Sequence, residues 1–427
     1  NIRAKNISRT VHFGAGNIFR AYIARLHQQL LDAGDCDRGI IAAETFDYEI
    51  VDKIYKPHNN LTLLAGISPD GKLKKEIIAS ISQGIKADTE TLKDIFISES
   101  LQLITLTITE KGYTVKDING NWITAVREDI KSGPDKPGHV ISIITAMLFE
   151  RYKNGEFPVS LVSLDNCSKN GMVLQNAVLS IAQAWAENGF IDQNFINYLN
   201  NEKVVAFPWS MIDKITPRPS ETVQRQLEEI GVVEIEPIIT SKGTYIAPFV
   251  NAEIPEYLVI EDNFPNGRPP LEKAGVYFTD RETVQKAETM KVTTCLNPLH
   301  TAMCVYGCLL GYTSISEEMK DPDIVKLIEL VGYKEGLPVV VDPGIIDPNE
   351  FIDEVVKVRL TNEYVPDTPQ RIATDISQQL AIRFGETVKA YMRSDVLSAS
   401  EIRGVPLVIA GWLRYLMGVD DQGNVYT

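Results

Sequence analysis

Histidine and cysteine are scarce in this chain of 427 residues, five of each, and neither shows a paired spacing. His12, His27, His58, His139 and His300 are too scattered for the clustered ligands of a catalytic zinc site, so no metal is expected. The cysteines, Cys36, Cys167, Cys295, Cys304 and Cys308, are odd in number and lack a framework pattern; they read as reduced thiols. Cys304 and Cys308 stand one helical turn apart near His300 and are the one group that could ligate a metal, with plain burial as the simpler reading. Also missing is any run of ~20 uncharged apolar residues, so no membrane span is expected. The opening Asn1-Ile-Arg-Ala-Lys5 has no secretory layout, and a cytoplasmic location is the expectation. Positive charge is in deficit: 42 Lys and Arg against 57 Asp and Glu leave a formal charge of −15. That argues against nucleic acid or anionic membrane as a partner. A small acidic substrate stays admissible, because a local cluster of arginine and lysine can act inside an acidic shell.

What is present is ordinary for a soluble globular protein, 44% hydrophobic and 23% charged. The length exceeds what one core usually holds, so two domains are expected. Thr10-Val-His-Phe13 reads as a strand ending in Gly14-Ala-Gly16. Ile18 to Leu31 carries apolar residues at helical spacing, and Arg38 to Ala43 is a short buried strand. Further strands are expected at Leu101–Thr109, Val159–Leu164, Lys203–Phe207, Tyr257–Ile260 and Gly275–Phe278, with helices such as Ile141–Tyr152 and Leu174–Asn188 between them. Alternation of this kind implies an α/β, Rossmann-type, doubly wound and mainly parallel sheet. From about Arg281 the texture turns helical, at Thr301–Tyr312, Asp323–Val331, Asn349–Leu360, Arg371–Arg383 and Ser398–Met417. The expected division is a nucleotide-binding domain of residues 1–283 and a mostly α-helical domain of residues 284–427, with the ligand between them. Asp420 to Thr427 reads as a turn entering another element.

Gly14 and Gly16 are two of the three glycines of a dinucleotide fingerprint, placed between strand and helix. The first permits a tight turn and the second lets backbone amides approach a pyrophosphate. Phe19 stands at the third position, which predicts looser packing of helix on sheet. The cofactor segment is expected to comprise Gly14, Ala15, Gly16, Asn17, Ile18 and Phe19. Glu44 ends the second strand, where a carboxylate accepts from ribose hydroxyls and repels a 2′-phosphate, so the expected cofactor is NAD. Asp47 competes for that role, and Arg20 either lies against the pyrophosphate or points to solvent.

Lys291, Asn297 and His300 lie within ten residues, ahead of a long apolar run. A potential base, a neutral amide and an imidazole are what metal-free carbonyl/alcohol redox chemistry needs. On a regular helix at ~100° per residue Asn297 and His300 share a face, whereas Lys291 and His300 point in opposite directions. Either Lys291 belongs to the approach to the helix, or a bulge takes up an extra residue; Val292-Thr293-Thr294 and Pro298 suit an irregular start. The plain alternative makes Lys291 a surface lysine and Asn297 an N-cap.

Six ordered blocks carry a resemblance over nearly the whole chain: Phe13–Ala21, Thr107–Tyr113, Leu164–Gly171, Phe207–Pro217, Val259–Pro269 and Leu296–Thr301. The chain resembles the polyol-specific long-chain dehydrogenases, the mannitol dehydrogenase family. The resemblance implies that Lys291 is the base in alcohol oxidation and the acid in ketone reduction. Asn166 and Asn297 would donate to the reacting oxygen, and His300 would hold substrate. Glu110 resembles the family's acid at the proton exit, and Arg371, in Thr368–Asp375, its substrate-binding arginine. Two departures stand out: five residues separate Lys291 from Asn297 where relatives have four, and Gln379 stands where relatives carry a second basic residue. Asp213 and Lys214 match a block in which a structural ion pair is as good a reading as catalysis. The implied partner is an open-chain sugar acid or polyol, first D-mannonate/D-fructuronate, with tagaturonate reductase and mannitol 2-dehydrogenase activities as alternatives. The rival from another class is a sensor that binds NAD(H) without turnover.

Overall fold

The computed structural model describes residues 9–365, 367–374, 376–420 and 422–425. The expectations for Asn1–Lys5 and Asp375, and part of that for Asp420–Thr427, lie outside the described residues. Two compact units divide the chain: residues 1–66, 74–252 and 256–281 form the first, and residues 67–73, 253–255 and 282–427 the second.

The first unit is built on six parallel strands, β1 (Thr10–Phe13), β2 (Ile40–Glu44), β3 (Ile81–Lys86), β4 (Leu103–Leu106), β5 (Val159–Ser163) and β6 (Val205–Ala206), in the order β3-β2-β1-β4-β5-β6. That is a doubly wound sheet whose order reverses between β1 and β4, the place where such sheets bind ligands beyond the strands' carboxyl ends. Register is fixed by a period of two: Val11, Phe13, Ile41, Ala43, Ile104 and Leu106 enter one core with the helix Val140–Lys153, while Ile40, Ala42, Leu103 and Val162 enter the other with Phe19 and Leu26. Strand β3 was not foreseen; its Ile-Ser-Gln-Gly-Ile-Lys alternates at a half-exposed sheet edge. Tyr257–Glu261 is a strand, yet not of this sheet. It lies in a separate three-stranded sheet, antiparallel to Ser210–Asp213 and parallel to Tyr277–Thr279.

The second unit is helical. α1 (Arg281–Met290) runs into a π-turn at Lys291–Cys295, and α2 (Asn297–Leu310) follows. The stretch expected as one helix over 371–383 is two, Pro369–Ala373 and α3 (Ile376–Arg393). Asp323–Val331 and Asn349–Leu360 likewise end in π-turns, at Leu330–Gly336 and Val355–Arg359. Among the described residues no helix is long and apolar enough to cross a membrane.

Candidate functional site

In the first unit, the turn after β1 is shaped by close approach. Gly14 has φ +104°, and a β-carbon there would lie 2.1 Å from the Thr107 carbonyl oxygen. Only glycine fits. The Ala15 peptide is gripped from both ends: its N–H donates to Glu44 Oε2 (2.8 Å) and its carbonyl accepts from Tyr55 Oη (2.9 Å). Gly16 faces open space, with nothing within 4 Å of where a β-carbon would stand. Asn17 and Ile18 start the helix, whose first N–H groups have no intrahelical partner. Phe19 is buried and stacks on the His12 ring, centroids 4.3 Å apart, at the start of a π-turn over Phe19–Ile23. The missing third glycine is thus accommodated by a widened helix turn and a ring stack.

Arg20 is neither on the surface nor an obvious phosphate ligand. It is fully buried, donating to the Ala247 carbonyl (2.8 Å) and to Asn17 Oδ1 (2.8 Å), and burial pulls its guanidinium down to about 10. Glu44 is also buried, and besides Ala15 it accepts from the N–H groups of Phe46 (2.9 Å) and Asp47 (3.0 Å) through Oε1. Two oxygens offer about four acceptor positions, so Oε2 keeps one. Asp47 is buried and accepts from Thr240 Oγ1 at 2.5 Å.

Past β4, Glu110 sits exposed on the single helical turn Thr109–Gly112. Past β5, Asn166 is exposed on a turn fastened by its neighbours. Asp165 accepts from the N–H groups of Ile108 (2.8 Å) and Thr109 (3.1 Å) and from Tyr113 Oη (2.7 Å). The buried Asn170 amide donates to the carbonyls of Ser163, Asp165 and Ser210, each at 3.1 Å, and accepts from Ser210 N–H at 3.0 Å. Asp165, Asn170 and Tyr55 had no assigned role from sequence. The first two lie inside the Leu164–Gly171 block, which was the available signal; Tyr55 had none. Lys214 pairs with Glu256 (2.7 Å).

In the second unit, Lys291 is 5% exposed, so it is not a surface lysine. The π-turn is closed by Leu296 N–H donating to the Lys291 carbonyl (3.1 Å), five residues apart, and Leu296 then leaves helical geometry at φ −129°, ψ −66°. Asn297 is the first residue of α2 rather than its cap, and Thr301 Oγ1 donates to its carbonyl (3.0 Å). With a π-turn and then a break at Leu296 between them, Lys291 and His300 are not related by a constant ~100° per residue, and the opposed placement of a regular helix does not apply. His300 N–H donates to the Leu296 carbonyl (3.2 Å). Burial, then the charge of Arg359, drives its imidazole down to about 4 against an upward pull from Asp367, and Arg383 adds to the lowering. At neutral pH the ring is uncharged, with one nitrogen a donor and the other an acceptor.

The cations that act on His300, Arg359 and Arg383, are far from it in sequence, and spacing does not reveal them. Arg359 is clamped by Glu253, Nε to Oε2 3.0 Å and Nη2 to Oε1 2.9 Å, with both side chains 3% exposed. Arg371 is 70% exposed and held by Asp367, Nε and Nη2 each 2.6 Å from a carboxylate oxygen. Cys304 Sγ donates to the Thr301 carbonyl (3.4 Å). Glu318 is fully buried beside Gly307, with neither carboxyl oxygen hydrogen-bonded among the described residues. Burial, then Asp367, pushes its carboxyl up to about 8.

Comparison with known proteins agrees with this architecture. Residues 8–273 match the mannitol dehydrogenase Rossmann domain, and residues 283–427 the mannitol dehydrogenase C-terminal domain. D-mannonate oxidoreductase of Thermotoga maritima is 55% identical over 421 residues, 97% of this chain and 78% of the relative. A D-sorbitol dehydrogenase solved in substrate-free form is similar with a TM-score of 0.83 at 27% identity, over 98% of this chain and 82% of that one. The Pseudomonas fluorescens mannitol 2-dehydrogenase ternary complex with NAD and D-mannitol gives 0.78 at 28% identity, over 99% and 82%.

Proposed function

Because the chain belongs to the mannitol dehydrogenase family, we propose that it is an NAD-dependent, metal-independent oxidoreductase of an open-chain sugar acid, interconverting D-mannonate and D-fructuronate in the cytoplasm. The observation that carries the reading is the buried Lys291 on the π-turn leading to Asn297 and His300, in a chain 55% identical to a protein named D-mannonate oxidoreductase. Residues 1–283 are the nucleotide domain in this reading, and residues 284–427 the substrate domain.

The turn after β1 fits a dinucleotide, because Gly16 leaves open the space a pyrophosphate needs and the first helical N–H groups are free of intrahelical partners. Gly14, Ala15, Gly16, Asn17, Ile18 and Phe19 would hold the pyrophosphate, and the remaining lone pair of Glu44 Oε2 a ribose hydroxyl. Bound NAD supplies the hydride acceptor for oxidation, and NADH the donor for reduction. Lys291 Nζ takes the proton of the substrate hydroxyl during oxidation and returns it to the oxygen during reduction. The amides of Asn166 and Asn297 donate to that oxygen and stabilise its developing charge without competing for the proton. His300, neutral, accepts from one substrate hydroxyl and donates to another group. Glu110 passes the proton on to solvent, and Arg371, steadied by Asp367, contributes to substrate binding.

The test is NADH oxidation with D-fructuronate, D-tagaturonate and D-fructose. The highest kcat/KM is expected with D-fructuronate. A preference for either other ketone reassigns the substrate, and tight NADH binding without turnover on any of them identifies a sensor.

A further inference from the structure

We propose that Arg383 binds the carboxylate of the sugar acid and sets the preference for acids over neutral polyols; this rests on the function proposed above. Resemblance alone offers Arg371 and puts the neutral Gln379 where relatives carry a second cation. In the structure Arg371 is largely exposed, and both Nε and Nη2 are engaged by Asp367. Its fork is already taken by a carboxylate of the protein itself.

Helix α3 supplies a cation one turn farther along. Gln379, Arg383 and Thr387 fall at i, i+4 and i+8 and share a face. Contacts show what that face meets. Thr387 Oγ1 donates to the Thr293 carbonyl inside the π-turn (3.4 Å), and Arg383 Nη1 donates to Thr301 Oγ1, the hydroxyl that itself donates to the Asn297 carbonyl. Arg383 therefore reaches the start of α2 beside Asn297 and His300, and its charge is felt by the His300 imidazole. An anionic substrate meets there a guanidinium next to a neutral ring, a pairing suited to a planar carboxylate. A neutral polyol has no use for the charge.

The test is steady-state NADH oxidation by wild type, Arg383→Gln, Arg383→Lys and Arg371→Gln, with D-fructuronate and D-fructose, alongside thermal melts and NADH titrations. Arg383→Gln is expected to lower kcat/KM for D-fructuronate by about 100-fold, chiefly through KM, as loss of a charge-assisted contact does. NADH affinity stays within about 3-fold, and the ratio of D-fructuronate to D-fructose narrows. Arg383→Lys keeps the charge without the fork, is the variant read where melts show the glutamine variant unfolded, and raises KM about 10-fold. Arg371→Gln costs less than about 10-fold, because Asp367 already occupies that guanidinium. Unchanged KM in both Arg383 variants, a larger loss at Arg371, or an equal loss of NADH binding overturns the assignment. Wild type that reduces D-fructose but not D-fructuronate overturns the proposed function instead.

Discussion

Gly14 and Gly16 make a paired test, because the structure gives each a different reason to be glycine. In Gly14→Ala the new methyl would sit 2.1 Å from the Thr107 carbonyl oxygen, so the two segments must part by about 1 Å to reach van der Waals contact. That movement strains two hydrogen bonds, Thr107 N–H to the Phe13 carbonyl and Gly14 N–H to the Ala43 carbonyl, each 2.9 Å. Losing them costs roughly 2 kcal/mol, and holding alanine at a positive φ adds roughly 1–2 kcal/mol. A total of about 3–4 kcal/mol lowers the Tm of a domain this size by roughly 10 °C. Gly16→Ala meets nothing within 4 Å, so its Tm should match wild type. Its methyl would occupy the approach of the pyrophosphate, and NADH affinity should fall about 10- to 100-fold, or roughly 1.4–2.8 kcal/mol. Thermal melts and NADH fluorescence titrations of both variants decide the matter. A Gly16→Ala protein with unchanged Tm and unchanged NADH Kd would show that the dinucleotide does not lie on this turn.

Lys291→Ala should reduce turnover by about 10²- to 10⁴-fold, the usual contribution of a general base, with NADH Kd within a few-fold; unchanged turnover means another group moves the proton. Glu44→Gln should raise the NADPH to NADH ratio of kcat/KM by about 10-fold, since a charge opposing the 2′-phosphate is gone. If only Asp47→Ala moves that ratio, Asp47 is the ribose acid. Glu318→Gln tests the buried carboxyl at about 8, whose unfolded value is 4.5. The folded form binds the extra proton between those values, so its stabilisation is full below pH 4.5 and is lost as pH rises through 8. The variant should melt like wild type at about pH 5 and higher than wild type at about pH 9, by up to about 1.4 kcal/mol per pH unit crossed. Equal melting at both would place Glu318 in contact with water.

Much of the first unit was legible because its signals are local. A buried strand, a glycine turn and an amphipathic helix succeed one another within 35 residues of Thr10, and their alternation is enough to imply a mainly parallel doubly wound sheet. Partner choice does need it: Tyr257–Ile260 reads as a strand, yet periodicity does not say that it pairs with Ser210–Asp213 and Tyr277–Thr279. The clamp of Arg359 by Glu253 joins residues 106 apart, with no spacing to announce it. Tyr55 holding Ala15, and Arg20 folded inward on Ala247, are likewise set by tertiary packing.

The extra residue between Lys291 and Asn297 shows where a fixed angle per residue fails. At ~100° per step the lysine and the imidazole oppose each other, and the site dissolves on paper. The chain instead spends the residue in the π-turn, where Thr293 Oγ1 donates back to the Thr289 carbonyl (2.7 Å) and α3 supports the turn through Thr387. Past the turn, Leu296 leaves helical geometry and α2 starts afresh at Asn297. If the bulge only absorbs the insertion, deleting Val292 should leave an α-turn with the four-residue spacing of relatives and Lys291 facing as before. Turnover should then stay within about 10-fold of wild type. If the bulge is incidental, the same deletion rotates Lys291 by ~100° relative to His300, and activity should fall as far as in Lys291→Ala.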